Sequence, residues 1–518
     1  MNKLLQSLLA VLLINLAAGM AMAAKAPEVK IRVAQYASRI EVVMPAGGTW
    51  QADKKSGKII PDRAYVITGQ LQTKAVRRYH LMVGSGSAAD ENQLRATELK
   101  FKAFKTHRFL AGNTPAPGYP DNRVVFIGVG IFADEAEARK LQDKLAADGI
   151  SSWVFIENIR PATGKLQLKL GKQTIIESLT GLKFSSKENT ILRKAEFAKG
   201  YSWHGFEDRK FAGDMLIQFG VENSLDCIEI TDLEKLLVGI VPSEISAKAP
   251  MAAMQAQAVA ARGEMLSKKG VRHLNEGFDF CSEQHCQVYK GLQPTDQNIA
   301  ASISPTRGLV LENHKGGILD AVYGANCGGH SSANQNIWTS NADPHLQGVS
   351  DIKTGIRIDL TNEEQACSFI SAPPDCWCAT PGVEGADKFR WKKSLSPKEW
   401  QTVEGKAAIG RIREISGIVR EISGRIVSIK LTGENGEKTV LKELPIRQLF
   451  GGLRSSFFKA DWKRDKQGFI NAADFEGAGW GHGVGMCQTG AQSMALAGRA
   501  FADILLHYFP GAKLVKLY

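Results

Sequence analysis

The sequence predicts an α+β fold: a mixed, β-rich domain with one long helix, joined to a smaller α/β region towards the N-terminus. Three observations predict it. Strand-like segments run from Val29 to about Phe109. A β-α-β pattern occupies residues 123–158. Beyond residue 176, further strand-like runs surround the helical stretch "PMAAMQAQAVAARGEMLSKKG".

The elements follow in order. Residues 1–24 combine the basic Lys3, the apolar run "LLQSLLAVLLINLAAG" and the small-residue signature "AMA", the pattern of a cleaved signal peptide. An uncleaved anchor is the alternative, weakened by Gln6 and Asn15. No other stretch is long and apolar enough to span a bilayer, so the expected location is outside the cytoplasm, in the periplasm or cell wall, with no stable span after cleavage. "VKIRVAQYASRIEVVM", Val29 to Met44, alternates like a pair of strands. Gly112 to Asn122 is a loop by its Pro, Gly and Asn content. "RVVFIGVGIF", "ADEAEARKLQDKLAADG" and "ISSWVFIEN" then form the β-α-β unit, its helix stopped by Gly149. The division expected is residues 29–165 for the N-terminal region and 176–518 for the larger domain. In the long helix Pro250 suits the first turn and Gly270 the stop, with Met251, Met254, Ala258 and Met265 on one face.

The chain of 518 residues carries a formal net charge of +12. For an exported protein that charge suits an acidic polymer or a membrane surface ahead of nucleic acid; a merely soluble basic surface is the plain alternative. Eight cysteines are too few for a disulfide-stapled scaffold of this length. Cys367, Cys376 and Cys378 cluster, and a disulfide among them is one reading.

Four segments could carry chemistry. Glu244 follows the apolar run "LLVGIVP" in an expected loop before the long helix; it is either a helix-end partner or a proton donor. His273, Cys281, His285 and Cys286 give H-x7-C-x3-H-C, two nitrogen and two sulfur donors suited to tetrahedral zinc, with a Cys281–Cys286 disulfide or ordinary thiols as alternatives. "AVYGANCGGHSSANQNIWTSNADPHLQGVSD" runs into a polar turn at Gly328, Gly329, His330 and Ser331, with Tyr323 and Trp338 as stacking or core aromatics. "GWGHGVGMCQTGA", Gly479 to Ala491, packs five glycines around His482: a tight turn against a ligand, or a structural turn.

In this order the motifs "VPSE" with "QAQAVAAR", "FDFCSEQHCQVY", "YGANCGGHSS", "ADPHLQGV" and "GWGHGVGMCQTGA" resemble the SpoIID/LytB family of bacterial cell-wall proteins. The β-α-β unit resembles half of a SPOR domain, a glycan-binding module, and "IRVAQ" looks like the family's first strand, which would make the SPOR-like region an insertion. Cys487 and Thr489 stand where many members have Ser and Trp.

The resemblance implies a lytic transglycosylase that cleaves MurNAc–GlcNAc bonds in denuded peptidoglycan and forms 1,6-anhydro ends. Glu244 would be the single acid, and the long helix would lie beside the active cleft. Arg262, Tyr323, Gly328, Gly329, His330, Ser331, Asp351, His482 and Gln488 would bind the glycan, and a structural Zn2+ would sit on the four His and Cys ligands. The rival expectation is a non-catalytic glycan-binding enhancer of a cell-wall amidase; either way the partners are glycan strands and other wall hydrolases, not nucleic acid.

Overall fold

The computed structural model describes residues 25–112, 114, 119–197, 204–293, 296–338 and 341–518. The expected signal segment, residues 1–24, lies outside the described residues, as does part of the expected loop at 112–122. Among the described residues no helix is long and apolar enough to cross a membrane.

The fold is α+β. A seven-stranded sheet runs in the order Phe280–Cys281, Glu28–Tyr36, Leu225–Asp232, Asp214–Phe219, Leu182–Ser186, Gly48–Ala52, Lys55–Ile59. A six-stranded sheet is built from Gln173–Ser178, Thr163–Leu170, Ala64–Thr73, Arg39–Val43, Thr190–Phe197 and Gly205–Phe211. Inward residues of both sheets, such as Ile31, Ile67, Leu168, Phe184 and Phe211, share one apolar core with the long helix. The stretch Val29 to Met44 does form two strands, Glu28–Tyr36 and Arg39–Val43, but they enter different sheets instead of pairing. Strands on both sides of residues 165–176 interleave in these sheets, with Thr163–Leu170 on Ala64–Thr73 and Leu182–Ser186 on Gly48–Ala52.

Residues 76–160 make a separate four-stranded sheet, ordered His107–Ala111, Val124–Phe132, Val76–Ser87, Trp153–Arg160, with the helices Glu91–Lys100 and Glu135–Ala147 and their own small core. This is the β-α-β-β-α-β split arrangement. The pattern at 123–158 is thus its second half, with Val76–Ser87 inserted between the two strands. Helix Glu91–Lys100 replaces the strand-like reading there: its buried positions are few, Leu94 and Thr97, and its start is set by the Asp90 carboxylate accepting the Gln93 N–H.

A further apolar core, containing Trp391, Trp400, Phe450 and Phe475, lies under two three-stranded sheets between Arg390 and Ala478.

The long helix is Met251–Lys268. Met254, Ala258 and Met265 are buried as expected, but Met251 is 59% exposed, and nearly every residue from Ala253 to Leu266 is buried. A helix apolar all round is a core helix. Gly263 has a packing reason: a Cβ there would stand 3.2 Å from the Leu319 carbonyl oxygen.

Candidate functional site

Glu244 closes the helix Leu233–Glu244, which absorbs Pro242 near its end, so the expected loop is helix. The helix starts where Asp232 accepts the N–H groups of Glu234 and Lys235. Half-buried at the other end, Glu244 accepts the Val288 N–H on Oε1 at 2.5 Å, with the Gln488 amide also bonded to it. Burial pushes the carboxyl up to about 7; the Val288 bond opposes this and neighbouring Glu264 adds to it.

The folded carboxyl titrates near 7 against 4.5 for a free one, so its contribution is complete below 4.5 and is lost as pH rises through 7. Glu244→Gln should therefore gain about 1–3 kcal/mol over wild type at pH 8 and little at pH 4. Urea denaturation at the two pH values measures this, and an equal difference at both would refute it.

Residues His273 to Cys286 fold back onto the edge of the seven-stranded sheet through Phe280–Cys281, which pairs in parallel with Ile31 and Arg32. The turn brings all four expected ligands together, their donor atoms within 4.8 Å of one another. His273 Nε2 lies 3.3 Å from Cys286 Sγ, and His285 Nδ1 lies 3.6 Å and 3.8 Å from Cys286 and Cys281 Sγ. Donors held around one tetrahedral zinc at 2.0–2.3 Å sit about 3.3–3.8 Å apart, so the set fits such an ion. Sequence reasoning missed a supporting carboxylate: Glu276 Oε2 lies 3.2 Å from His273 Nδ1, the arrangement that orients a metal-binding imidazole. Its i+3 position was the available signal. Asn158, at the end of the 76–160 unit, donates to Glu276 Oε1 at 3.2 Å. Both cysteines are free thiols.

The glycine-rich stretch is a tightly packed turn. Gly479, Gly481, Gly483 and Gly485 all have positive φ. A Cβ at Gly483 would meet the Arg425 guanidinium at 2.3 Å, and one at Gly485 the Val322 carbonyl at 2.1 Å. Backbone bonds zip the stretch to residues 322–332: Trp480 N–H to Asn326 O, Met486 N–H to Val322 O, and Ser332 N–H to Gly483 O.

The structure sorts the remaining site residues by what they touch. Gly328 packs on Gly479, and Gly329 on Phe369. His330 is buried with Nδ1 2.7 Å from the Ser331 carbonyl, and burial lowers its pKa. Ser331 exchanges bonds with Val349. Gln488 is buried, its amide donating to Gln257. Tyr323 is buried; burial, then the carboxylates of Glu244 and Glu264, push its phenol far up. Arg262 has no exposed surface and gives its donors to Glu234 and to the Leu309 carbonyl. Asp351 is equally buried, accepting from Cys378 N–H and the Tyr508 hydroxyl. His482 keeps some exposure and accepts the Val484 N–H on Nδ1. Burial and then Arg425 and Lys268 drive its pKa down to about 3, so it is neutral at pH 7.

Of the expected glycan-contacting and acid residues, Glu244 and His482 keep a surface. Beside His482, at 5.0 Å between ring centroids, stands Trp338, 36% exposed. Trp480, in the same glycine-rich turn as His482, carries Arg454 at 4.0 Å and Lys388 at 5.4 Å over its ring.

Residues 221–312 match the family described as Stage II sporulation protein, and residues 332–485 match one described as a domain of unknown function (DUF8618). An amidase enhancer of Bacillus subtilis is 27% identical over 297 residues, 54% of this chain and 40% of that protein. Stage II sporulation protein D of Bacillus amyloliquefaciens is 26% identical over 298 residues, 55% of this chain and 74% of that protein. Its Bacillus subtilis counterpart is 25% identical over 306 residues, 55% of this chain and 75% of that protein. The chain is thus similar to SpoIID/LytB-type proteins over about half of its length. It spans 40% of the amidase enhancer's length.

These relatives correct the reading of the chain as a lytic transglycosylase. The one named for an activity is named as an enhancer of an amidase, and none of the relatives above carries a transglycosylase name. The assignment of the chain as an enzyme falls with it. A raised carboxyl such as Glu244 is what a general acid needs, but a half-buried carboxyl acquires it by desolvation alone.

Proposed function

We propose that this chain is an exported, non-catalytic wall protein that binds peptidoglycan glycan strands and enhances a cell-wall amidase. The similarity to the amidase enhancer carries this reading. The exposed Trp338 supports it as an apolar face for a sugar ring, flanked by neutral His482. Glu244, close to half-protonated at neutral pH, can give or take a hydrogen bond from a sugar hydroxyl. Net charge of +12 favours an acidic polymer over a neutral one.

In this reading Zn2+ on His273, Cys281, His285 and Cys286 is structural: four protein ligands leave no open position, and the loop it ties presents the Val288 N–H to Glu244. The 76–160 unit acts as a second glycan contact, inserted between the strand Glu28–Tyr36 and its partner Leu225–Asp232.

The test combines purified sacculi, a purified cell-wall amidase and the full-length mature protein. The protein should sediment with sacculi and speed the amidase, and Trp338→Ala should weaken sedimentation about 3- to 10-fold, the value of one aromatic contact. A folded protein that binds sacculi without speeding any amidase would end the enhancer reading. Release of anhydro-sugar ends by the protein alone would overturn the non-catalytic one.

A further inference from the structure

Four buried donors lie together well apart in sequence from the His2Cys2 cluster. Cys327, Asp351, Cys378 and Cys487 have their ligand atoms within 4.8 Å of one another, and all four residues are buried. Cys327 Sγ and Cys378 Sγ are 3.6 Å apart, close to the roughly 3.8 Å that two thiolates take around one tetrahedral zinc. The cysteines are free thiols.

Each donor is aimed by its own element. Cys327 follows Asn326, whose amide is fixed by the carbonyls of Cys378 and Gly385 and whose Oδ1 accepts the Gly328 N–H. Cys378 sits in the 3₁₀ turn Trp377–Ala379 and gives its N–H to Asp351 Oδ2 at 2.9 Å. Cys487 ends the short strand Met486–Cys487 and starts the helix Gln488–Leu496, where its sulfur takes the N–H groups of Cys327 and Gly490.

Asp351 is the independent observation. Its side chain has no exposed surface, and among the described residues the basic group at ion-pair distance is His507, with Nε2 at 3.8 Å. Burying a carboxylate without a close cation is costly. A hydroxyl from Tyr508 at 2.7 Å and one N–H leave further lone pairs on both oxygens. Three sulfurs within reach of that oxygen supply a soft, closed donor set, which selects zinc over calcium or magnesium. Nearby, Arg425 donates to the Cys327 carbonyl and Arg390 to the Gly328 carbonyl, so positive charge flanks the thiolates an ion would require.

We propose that Cys327, Asp351, Cys378 and Cys487 bind a second, structural Zn2+. The ion cross-links the 322–332 stretch, the Trp377–Ala379 turn and the start of the Gln488–Leu496 helix, which together hold the glycine-rich turn carrying His482. The site is separate from the His2Cys2 cluster and does not depend on the proposed wall-binding function.

Native mass spectrometry of full-length mature protein, purified without chelator, should show two zinc ions. His285→Ala and Cys487→Ser should each leave one, and the two changes together none. Because Cys487→Ser alters a buried position, the second arm uses His285→Ala alone. Loaded with Co2+, this variant should show the thiolate charge-transfer and intense visible bands of a tetrahedral cobalt–sulfur site. A wild-type protein with one zinc, lost on His285→Ala, would overturn the proposal. So would a Cys327–Cys378 disulfide found by peptide mapping, or a folded, cobalt-treated His285→Ala protein without those bands.

Discussion

Arg262→Ala should cost about 3–5 kcal/mol of folding stability and leave much of the protein insoluble or molten. The guanidinium is fully buried and forks onto Glu234, Nε to Oε1 and Nη2 to Oε2, both at 2.8 Å, while Nη1 reaches the Leu309 carbonyl at 2.9 Å. Glu234 in turn accepts from the Gly308 N–H at 3.2 Å and the Tyr518 hydroxyl at 2.5 Å. One ion pair therefore joins the helices Leu233–Glu244 and Met251–Lys268, the strand Leu309–Glu312 and Tyr518. Burial alone would raise the Glu234 carboxyl; Arg262 outweighs it and holds the group below its ordinary value. Without Arg262 the carboxylate would stay buried, facing the tyrosine and one amide. The cost is the uncompensated charge, so removing both charges should hurt less than removing one. Chemical denaturation of Arg262→Leu, Glu234→Leu and the double variant measures this. A double variant as unstable as the sum of the two singles would show that the pair is not the cause.

That role was not readable from "QAQAVAAR". Residue type and position on the long helix made Arg262 a candidate for a charged or hydroxyl-rich ligand, and burial, which decides the matter, is a property of the packed chain. Asp351 and Gln488 are buried as well, and polar side chains in a motif look alike whether they face a groove or a core. What was legible is local. The long helix, bounded by Pro250 and Gly270, emerges where its pattern puts it, because a helix is specified by residues three and four apart. The His2Cys2 cluster was legible because its ligands fall within one turn of chain, from His273 to Cys286.

Non-local features were hidden. Glu28–Tyr36 and Arg39–Val43 read as neighbours, yet their pairing partners lie at Leu225–Asp232 and Ala64–Thr73. The Cys327, Asp351, Cys378 and Cys487 group comes from four separate segments, so no spacing motif announces it. Cys487, standing where serine is common in the resembled family, was the available hint. The enzymatic reading failed at a different step. Glu244 does have the raised carboxyl that its apolar approach suggested, but a pKa records an environment and not a reaction.

His285→Ala should have the second large effect, and it isolates the metal better than any other ligand change. His285 is exposed, whereas Cys281 and Cys286 are buried and His273 half-buried, so trimming its ring disturbs little packing. An exposed substitution away from special features usually changes stability by within about 0.5 kcal/mol. If zinc ties the loop, however, losing one of four ligands removes binding energy that is also folding energy, about 10 kcal/mol or more for small zinc domains. Here the large core limits the loss to the part that orders the turn from His273 to Val288, so about 2–4 kcal/mol is expected. Amide exchange should rise between residues 271 and 290, and at the Val288 N–H first, since its bond to Glu244 depends on the turn. Glu244, losing a hydrogen bond that favours its charged form, should then titrate higher still. A control separates metal from packing: in protein stripped of metal, wild type and His285→Ala should have equal stability. A wild type that stays more stable after stripping, or a zinc-loaded variant with unchanged exchange in the turn, would show that the four side chains hold the loop without an ion.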